Sequence, residues 1–158
     1  MTNKSIDKIP HYTESIFYEL KQTARVLSIY ANQLAEKLNL GMPPISYTVL
    51  DTIMCNPNIC QRDLAKLIVL DRANTGKILN NLEEKHLIIR AIDTKNNRLV
   101  KKCSITQKGI DELKNLNEII FSYYKSITEK IPEEEFQRVR LALKNLRTSF
   151  EQHIQNKI

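Results

Sequence analysis

The side chains best suited to chemistry in this sequence form one repeating polar face between Asp71 and His86. Opposite the apolar positions of that segment stand guanidinium, ammonium and carboxamide groups and one alanine, at Arg72, Ala73, Asn74, Lys77, Asn80 and Asn81. Arg, Lys and Asn side chains pair with the edges of guanine and adenine in the major groove of DNA, which admits a helix. A solvated helix face is the alternative interpretation. Thr75 carries a hydroxyl that could contact a phosphate or face the core.

The residues used for catalysis and metal binding are scattered. His11, His86 and His153 lie far apart, and no Cys-x-x-Cys pair occurs, so we expect no metal site. Neither a Ser-His-Asp set nor a carboxylate pair can be assembled from neighbouring residues. The three glycines leave little material for a phosphate-binding loop. We therefore expect a chain that is not an enzyme and binds no cofactor.

Positive charge is concentrated in the central third of the chain. The formal net charge is +6. Residues 62–108 hold 11 basic and five acidic side chains, whereas the remainder holds 13 of each. The abundance of Ile, Asn and Lys indicates an AT-rich genome, which would spread lysine evenly. A localised excess instead favours an anionic partner such as double-stranded DNA.

The cysteines and the apolar runs indicate a cytoplasmic protein. Cys55, Cys60 and Cys103 are an odd number, which argues against a secreted disulfide framework. No apolar run approaches the roughly 20 residues of a membrane span, and the first residues lack the apolar centre of a signal peptide. Cys55 and Cys60 flank a turn at 56–58, and they would form a redox pair if their Cα atoms lay within about 7 Å. Idle thiols are the alternative.

Apolar periodicity and capping residues predict a helix-turn-helix in the centre of the chain. A helix over 45–55 opens at two prolines and ends at the turn at 56–58. A short helix over 61–68 follows, then a crossover at 69–70 and a helix from Arg72 to about His86, capped by Asp71. The polar face thus lies on the second helix of the motif, which is the helix that reads DNA in such motifs.

A β-hairpin is predicted after the helix-turn-helix. Residues 87–92 and 98–105 show strand patterns on either side of a turn-rich stretch at 93–97. The tip holds Lys95, Asn96, Asn97 and Arg98. These residues have the charge and the reach to enter an adjacent minor groove, where arginine favours narrow A·T tracts. An ordinary polar turn is the alternative.

Long amphipathic helices flank this centre. The first carries a heptad seam from Phe17 to Leu38, with Thr13 as its N-cap and Gly41 as its stop. Thr106 caps a fifth helix, and a sixth begins after Pro132. The central unit is too small to cover these seams, and exposed apolar surface costs about 25 cal/mol per Å². We therefore expect a twofold homodimer.

The predicted fold class is mainly α with a small β-hairpin wing, a winged helix-turn-helix with long terminal dimerisation helices. We expect one domain over 1–158. The DNA-binding lobe takes about 43–108, and the dimerisation helices take about 11–40 and 109–156.

A series of short motifs runs through the chain in a fixed order. The motifs are Gln61-x-x-Leu64-Ala65, Leu70-Asp71, Thr75, Leu79, Leu82-Glu83, Lys85, Leu87-Ile88-x-Arg90, Asp93 and Ile105-Thr106-x-Lys108-Gly109. Together they resemble the MarR family of bacterial winged-helix transcriptional regulators, over nearly the whole chain. The resemblance implies a homodimer that reads a pseudo-palindromic operator, usually as a repressor. It also implies that a small-molecule ligand or oxidation lowers the affinity for DNA.

Four positions depart from the family pattern. Cys60 stands where Thr or Ser often caps a helix. Gly76 replaces an apolar residue in the recognition helix, at a cost of about 1 kcal/mol relative to Ala, and His86 replaces a glycine at its end. Counted back from Thr106, Arg98 is displaced by one residue from the arginine of the family's wing. Either a bulge absorbs the extra residue, or Arg98 is not the arginine that enters the groove.

The resemblance also implies an effector pocket between the dimer helices and the DNA-binding lobe. The candidate lining residues are His11, Tyr12, Phe17, Tyr18, Tyr30 and Tyr47, with plain core packing as the alternative. The peroxide-sensing branch of the family has a reactive cysteine early in its first helix. This chain has Ile-Phe-Tyr at 16–18, so we do not expect that mechanism.

We therefore expect a DNA-binding regulator with no membrane association. Arg72, Asn74, Thr75, Lys77, Asn80 and Asn81 would act in the major groove, and Lys95, Asn97 and Arg98 in the minor groove or on phosphate. One alternative is a protein-interaction module on the same scaffold, which would favour an acidic or apolar recognition face. Another is a ligand-binding enzyme on a helical dimer, which would need a buried acid–base pair. The sequence shows neither feature.

Overall fold

The computed structural model describes residues 11–95 and 98–155, with the side chains at 95, 98 and 155 outside that description. After a 3-10 turn (Tyr12–Glu14), the elements in chain order are α1 (Ile16–Lys37), α2 (Pro44–Cys55), β1 (Ile59–Cys60), α3 (Gln61–Leu67), α4 (Arg72–Glu84), β2 (Ile88–Lys95), β3 (Arg98–Ile105), α5 (Gln107–Thr128) and α6 (Glu133–Gln155). The predicted fold class is confirmed, because the chain is mainly helical with a small antiparallel sheet.

The sheet has the strand order β1-β3-β2. The two-residue strand β1 is absent from the sequence prediction, and it pairs Ile59 with Cys103 and Cys60 with Lys102. The β2–β3 ladder runs without a break from Ile88↔Ile105 to 95↔98. The predicted turn over 93–97 is therefore too long, since β2 continues to 95. The unbroken ladder has no bulge between 98 and 105, so a bulge there does not explain why Arg98 is displaced by one residue from the arginine of the family's wing. Asn96 and Asn97 lie outside the described residues.

One side of α4 is buried in the core of the chain. Thr75, Leu79 and Leu82 are each 0% exposed. Helix α4 contacts α2, α3 and β2, whose fully buried side chains include Val49, Leu50, Ile53, Leu64 and Ile88. Burial of a branched aliphatic side chain contributes roughly 1.5–3 kcal/mol. The burial of its apolar side fixes the rotation of α4 about its own axis.

Side-chain caps set the starts of three helices. The Asp71 carboxylate accepts the Asn74 amide at 2.8 Å, and the Thr106 hydroxyl oxygen accepts the Gly109 amide at 3.1 Å. These two predicted caps are confirmed. The prediction of Thr13 is wrong, because Ser15 is the N-cap of α1 and accepts from the Tyr18 amide. Cys60 is the N-cap of α3 and makes no side-chain cap bond, as its departure from Thr or Ser predicts.

Three helices end on a left-handed residue that is not glycine. Asn39, Val69 and His86 have φ values of 50°, 53° and 59°. In each case the next amide bonds back to the helix, as when the Leu70 amide donates to the Ala65 carbonyl at 3.0 Å, which is the Schellman arrangement. The prediction of Gly41 as the stop of α1 is therefore wrong, since Asn39 fills that position. His86, which replaces a glycine of the family pattern, adopts the left-handed conformation that a glycine would take at this helix end.

The chain divides into two compact units after Leu113. The first holds α1 to α4, the sheet and the start of α5, and the second holds the rest of α5 and all of α6. Among the described residues, no helix combines the length and the apolar character that crossing a membrane requires.

A close backbone contact explains why the Ile105-Thr106-x-Lys108-Gly109 motif ends in a glycine. A Cβ atom at this position would lie 2.3 Å from the Leu87 carbonyl oxygen and 2.7 Å from Ile105. The first turn of α5 can therefore pack against the start of β2 only if residue 109 lacks a side chain. Gly76 differs, because its Cβ would meet only the end of the Gln61 side chain, at 3.3 Å.

Gly109→Ala should lower the free energy of unfolding by about 1–3 kcal/mol, because the backbone of Leu87 must move. Gly76→Ala is the matched control, and it should raise stability by up to about 1 kcal/mol through its higher helix propensity. Urea denaturation followed by circular dichroism measures both changes. Equal stability of Gly109→Ala and the wild type would contradict the close approach.

Candidate nucleic-acid interface

The solvent-facing side of α4 carries the polar residues that the sequence places there. Arg72, Ala73, Asn74, Lys77, Asn80 and Asn81 are all exposed. No acidic residue occurs between Arg72 and Asn81. The face therefore presents cations and carboxamides, the groups that bind phosphates and base edges.

Thr75 does not belong to this face. Its side chain is 0% exposed, and its hydroxyl donates to the Asp71 carbonyl oxygen at 2.7 Å. The interpretation of Thr75 as a contact to DNA is therefore wrong, and the alternative that it faces the core is confirmed. The 100° turn per residue of a helix places position 75 with Leu79 and Leu82.

Asp71 and Asn74 are linked by two hydrogen bonds at the start of α4. Besides the backbone bond of the cap, the Asn74 Nδ2 donates to Asp71 Oδ2 at 2.5 Å. The hydrogen bonds from the Asn74 amide and side chain hold the pKa of Asp71 below its ordinary value. Asp71 is therefore an acceptor in the neutral pH range, and it orients the Asn74 carboxamide.

Arg90 on β2 connects the wing to the C-terminal half of α4. Its Nε donates to Glu83 Oε2 at 2.9 Å, and its Nη2 donates to the same carboxylate and to Asn80 Oδ1, the latter at 2.8 Å. The hydrogen bond to Glu83 raises the pKa of Arg90, while the bond from Arg90 lowers the pKa of Glu83. The half-buried guanidinium thus joins one structural carboxylate and one residue of the exposed face.

Three hydrogen bonds hold the C-terminal end of α4. The Lys85 carbonyl accepts from Lys108 Nζ at 2.9 Å, and the His86 carbonyl accepts from the Thr106 hydroxyl at 2.8 Å. Lys85 Nζ in turn donates to the Gly41 carbonyl at 3.3 Å. The start of α5 and the α1–α2 link therefore both touch the end of the helix that carries the polar face.

The wing contributes charge beside α4, but the predicted tip is not described in full. Lys95 and Arg98 are the end residues of β2 and β3, and their side chains, like all of Asn97, lie outside the described part. Lys101 is exposed, and Lys102 forms an ion pair with Asp93. No observation tests the prediction that Lys95, Asn97 and Arg98 reach DNA, so it stays a prediction.

The aromatic residues expected to line an effector pocket occupy different environments. Tyr12 and Tyr18 meet edge to face, with ring centroids 5.9 Å apart. Tyr47 is buried and its hydroxyl donates to the Leu40 carbonyl at 2.7 Å; burial raises its pKa to about 12. Tyr47 therefore anchors the α1–α2 link, which matches the core alternative.

A surface cavity of about 460 Å³ lies at the α1–α2 link. Its lining comes from the end of α1 and the link, including Asn32, Glu36, Asn39 and Met42. None of the aromatic residues predicted for the pocket lines this cavity.

The three cysteines are unpaired thiols. Cys60 is buried and donates to Asp63 Oδ2 at 3.0 Å, whereas Cys55 is exposed. The Cys55–Cys60 redox pair, which the sequence leaves as one alternative beside idle thiols, is not joined in this structure. Burial raises the pKa of Cys103 to about 11, so its reactive thiolate is scarce at neutral pH.

A helix-turn-helix followed by an antiparallel hairpin defines the winged-helix class. Residues 42–100 match the model of the MarR family, and solved structures that resemble this chain include regulators of that family. These matches confirm the predicted resemblance to the MarR family of winged-helix transcriptional regulators. Regulators of this family are not enzymes, in agreement with the prediction for this chain.

Three solved structures illustrate the likeness. The transcriptional regulator SlyA is 25% identical, with a TM-score of 0.71 and coverage of 87% of this chain and 95% of its own. The Staphylococcus aureus MepR–DNA complex is 20% identical, with a TM-score of 0.69 and coverage of 89% and 99%. A MarR family regulator from Silicibacter pomeroyi is 18% identical, with a TM-score of 0.75 and coverage of 89% and 97%. At these identities the last two show the fold alone.

A curated relative from Thauera aromatica is named for a regulatory role on the hcr operon. It is 29% identical to this chain over 96 residues. The match covers 60% of this chain and 57% of the relative's length.

The Glu83–Arg90 ion pair should make the free energy of unfolding depend on pH in the acidic range. Because Arg90 lowers the folded pKa of Glu83, the pair contributes fully above the ordinary value of 4.5 and loses its contribution as the pH falls through the lowered value. Glu83→Gln should therefore lower the Tm at pH 7, and the difference from wild type should shrink at pH 3. Solvent screening limits the effect to about 1 kcal/mol or less.

Thermal unfolding of wild type and Glu83→Gln at both pH values measures this difference. Glu84→Gln removes the same charge from a neighbouring exposed position and serves as the control. A Tm difference for Glu83→Gln that is equal at pH 3 and pH 7 would contradict the role of the ion pair.

Proposed function

We propose that this chain is a homodimeric transcriptional repressor that binds a pseudo-palindromic operator in double-stranded DNA. Arg72, Asn74, Lys77, Asn80 and Asn81 act in the major groove. The observation that carries the proposal is the exposed face of α4, which offers cations and carboxamides without a carboxylate over 72–81. A polyanionic duplex is the partner that matches this chemistry.

The likeness to known proteins supports DNA as the partner. MepR was solved in complex with DNA, and its fold resembles that of this chain. The relative from Thauera aromatica is named for the regulation of an operon. Lys95, Asn97 and Arg98 complete the interface at the minor groove or on phosphate. In this proposal the protein acts in the cytoplasm by occluding a promoter.

Exposed apolar residues support the homodimer. Helix α1 exposes the neighbouring positions Val26 and Ile29 by 64% and 58%, and α6 exposes Val139 and Leu143, one turn apart on its apolar seam, by 55% and 43%. Isolated exposed apolar residues are common, but contiguous ones mark interfaces. A second copy of the chain that covers both helices would remove this surface from water and place two α4 helices on one face of the duplex.

An effector or an oxidant relieves repression by changing the spacing of the two α4 helices. Such a signal can shift the equilibrium only by its difference in affinity for the two spacings. Tyr12, Phe17, Tyr18 and Tyr30 remain the proposed effector-lining residues.

A protein-interaction module on the same scaffold is the second candidate. It would require a recognition face rich in acidic or apolar side chains. Ala73 is the one apolar residue among the six exposed positions named on α4 between 72 and 81, so the observations favour DNA.

Lys77→Ala should weaken binding to all duplexes, because a lysine on phosphate carries no sequence information. The slope of log K against log salt concentration should fall by about one for each Lys77. Asn74→Ala should instead relax the preference between sequences. Gel shifts on a fragment from the protein's own promoter region and on an unrelated duplex measure both effects.

Lys144→Ala on α6 is the matched control for charge, and it should leave the affinity unchanged. Unchanged binding by both Lys77→Ala and Asn74→Ala would remove α4 from the interface.

Leu143→Asp should disrupt the homodimer, because it places a charge on the apolar seam of α6. Leu143 is 43% exposed in the single chain, so the isolated subunit should still fold. Asn145→Asp adds the same charge at an exposed polar position nearby and should leave the dimer intact. Sedimentation equilibrium distinguishes the two species; a wild-type monomer, or a Leu143→Asp dimer of wild-type strength, would contradict this interface.

A further inference from the structure

Two asparagines on the exposed face of α4 are held by partners of opposite hydrogen-bonding character. Asn74 is bonded to a carboxylate, and Asn80 is bonded to a guanidinium. A carboxamide has one accepting end and one donating end. The partner of each asparagine therefore decides which end faces the solvent.

Asn74 is anchored by its amino group. Its Nδ2 donates to Asp71 Oδ2 at 2.5 Å, while the other Asp71 oxygen accepts the Asn74 backbone amide at 2.8 Å. An ionised carboxylate only accepts hydrogen bonds. Turning the carboxamide over would place its oxygen against that carboxylate, so the carboxamide oxygen is the end left for an external partner.

Asn80 is anchored by its oxygen. Its Oδ1 accepts from Arg90 Nη2 at 2.8 Å, and Arg90 is itself fixed by Glu83 through a 2.9 Å bond from Nε. A guanidinium only donates hydrogen bonds. Turning this carboxamide over would oppose two donors, so the amino group of Asn80 is the end left for an external partner.

We propose that Asn74 and Asn80 read base edges of opposite polarity in each half-site of the operator. Asn74 accepts from an exocyclic amino group, the N6 of adenine or the N4 of cytosine. Asn80 donates to a major-groove acceptor, the N7 or O6 of a purine or the O4 of thymine. Six residues of helix separate the two positions by about 9 Å along the axis, so they meet different base pairs.

Arg90 is a positioning residue in this arrangement. It sits on β2 and acts on the base through Asn80. The inference rests on the proposed function, because it requires α4 to enter the major groove.

Single-atom changes to the duplex test the polarity directly. Selection from random duplexes with the full chain first supplies a preferred sequence. N6-methyladenine and N4-methylcytosine then block an amino group in the major groove and keep the base pair. The acceptors N7, O6 and O4 are removed or weakened by 7-deazapurines, 6-thioguanine and 4-thiothymine. Each edit is introduced at one base pair at a time.

One position of each half-site should lose about fivefold in affinity when its amino group is methylated, and a different position should lose about fivefold when its acceptor is removed. Asn74→Ala should abolish the first sensitivity and keep the second. Asn80→Ala should do the reverse. Asn145→Ala, on the exposed surface of α6, should keep both.

Two further variants test whether the orientation of the Asn80 carboxamide matters, and not only its presence. Arg90→Met leaves the Asn80 carboxamide able to turn, so its position should become less sensitive to loss of the acceptor and more sensitive to methylation of an amino group. Asn80→Asp keeps an acceptor for Arg90 but has no amide donor. It should lose the sensitivity to removal of the base acceptor, as Asn80→Ala does. This variant keeps the inference testable if a melting experiment shows that Arg90→Met does not fold.

The outcomes distinguish this inference from the proposed function. If binding stays selective but the two asparagines exchange their sensitivities, the inference alone is overturned. The same holds if one asparagine accounts for both the methylation sensitivity and the acceptor sensitivity at a single base pair. Sensitivities that survive both alanine substitutions would also overturn it. Failure to select any duplex would overturn the proposed function, and the inference would fall with it.

Discussion

The rotation of α4 about its axis is the constraint on which the rest of this structure depends. Thr75, Leu79 and Leu82 have no exposed surface, and each would lose its buried contacts if the helix turned. Because the apolar side is fixed, the side that faces solvent is fixed as well. Burial in the core therefore determines which polar groups can meet a partner, and no loop rearrangement is needed to present them.

Polar contacts complete what burial begins. Asp71 holds the first turn of α4, Arg90 holds its C-terminal half, and Lys108 bonds to the carbonyl at residue 85 just past its end. These contacts come from the helix-turn-helix, the wing and the start of α5. A group whose partners are set before binding loses less conformational freedom when it meets a ligand. Part of the cost of ordering the interface is thus met by folding.

Sequence reasoning succeeds where a local rule decides the structure. The Asp71 and Thr106 caps, the starts of α2, α3 and α4 to within one residue, and the exposed face of α4 follow from residue type and spacing, whereas both predicted ends of α1 are wrong. It fails where distant segments decide. Strand β1 has only two residues, so its pairing with β3 leaves no periodic signal. The bond from Arg90 to Asn80 joins residues on different elements, whereas Asp71 and Asn74 lie three apart and could have been paired from the cap alone. Thr75 was ambiguous because threonine suits both a core and a surface position.

The central claim is that the exposed face of α4 lies against the bases of a duplex. A photo-reactive side chain in place of Ala73 tests this most directly, because Ala73 is exposed and its small side chain can be replaced without repacking the core. We expect a covalent link to a base of the bound duplex from residue 73 and none from the same side chain at 145. A bound duplex that links to residue 145 but not to residue 73 would contradict the account.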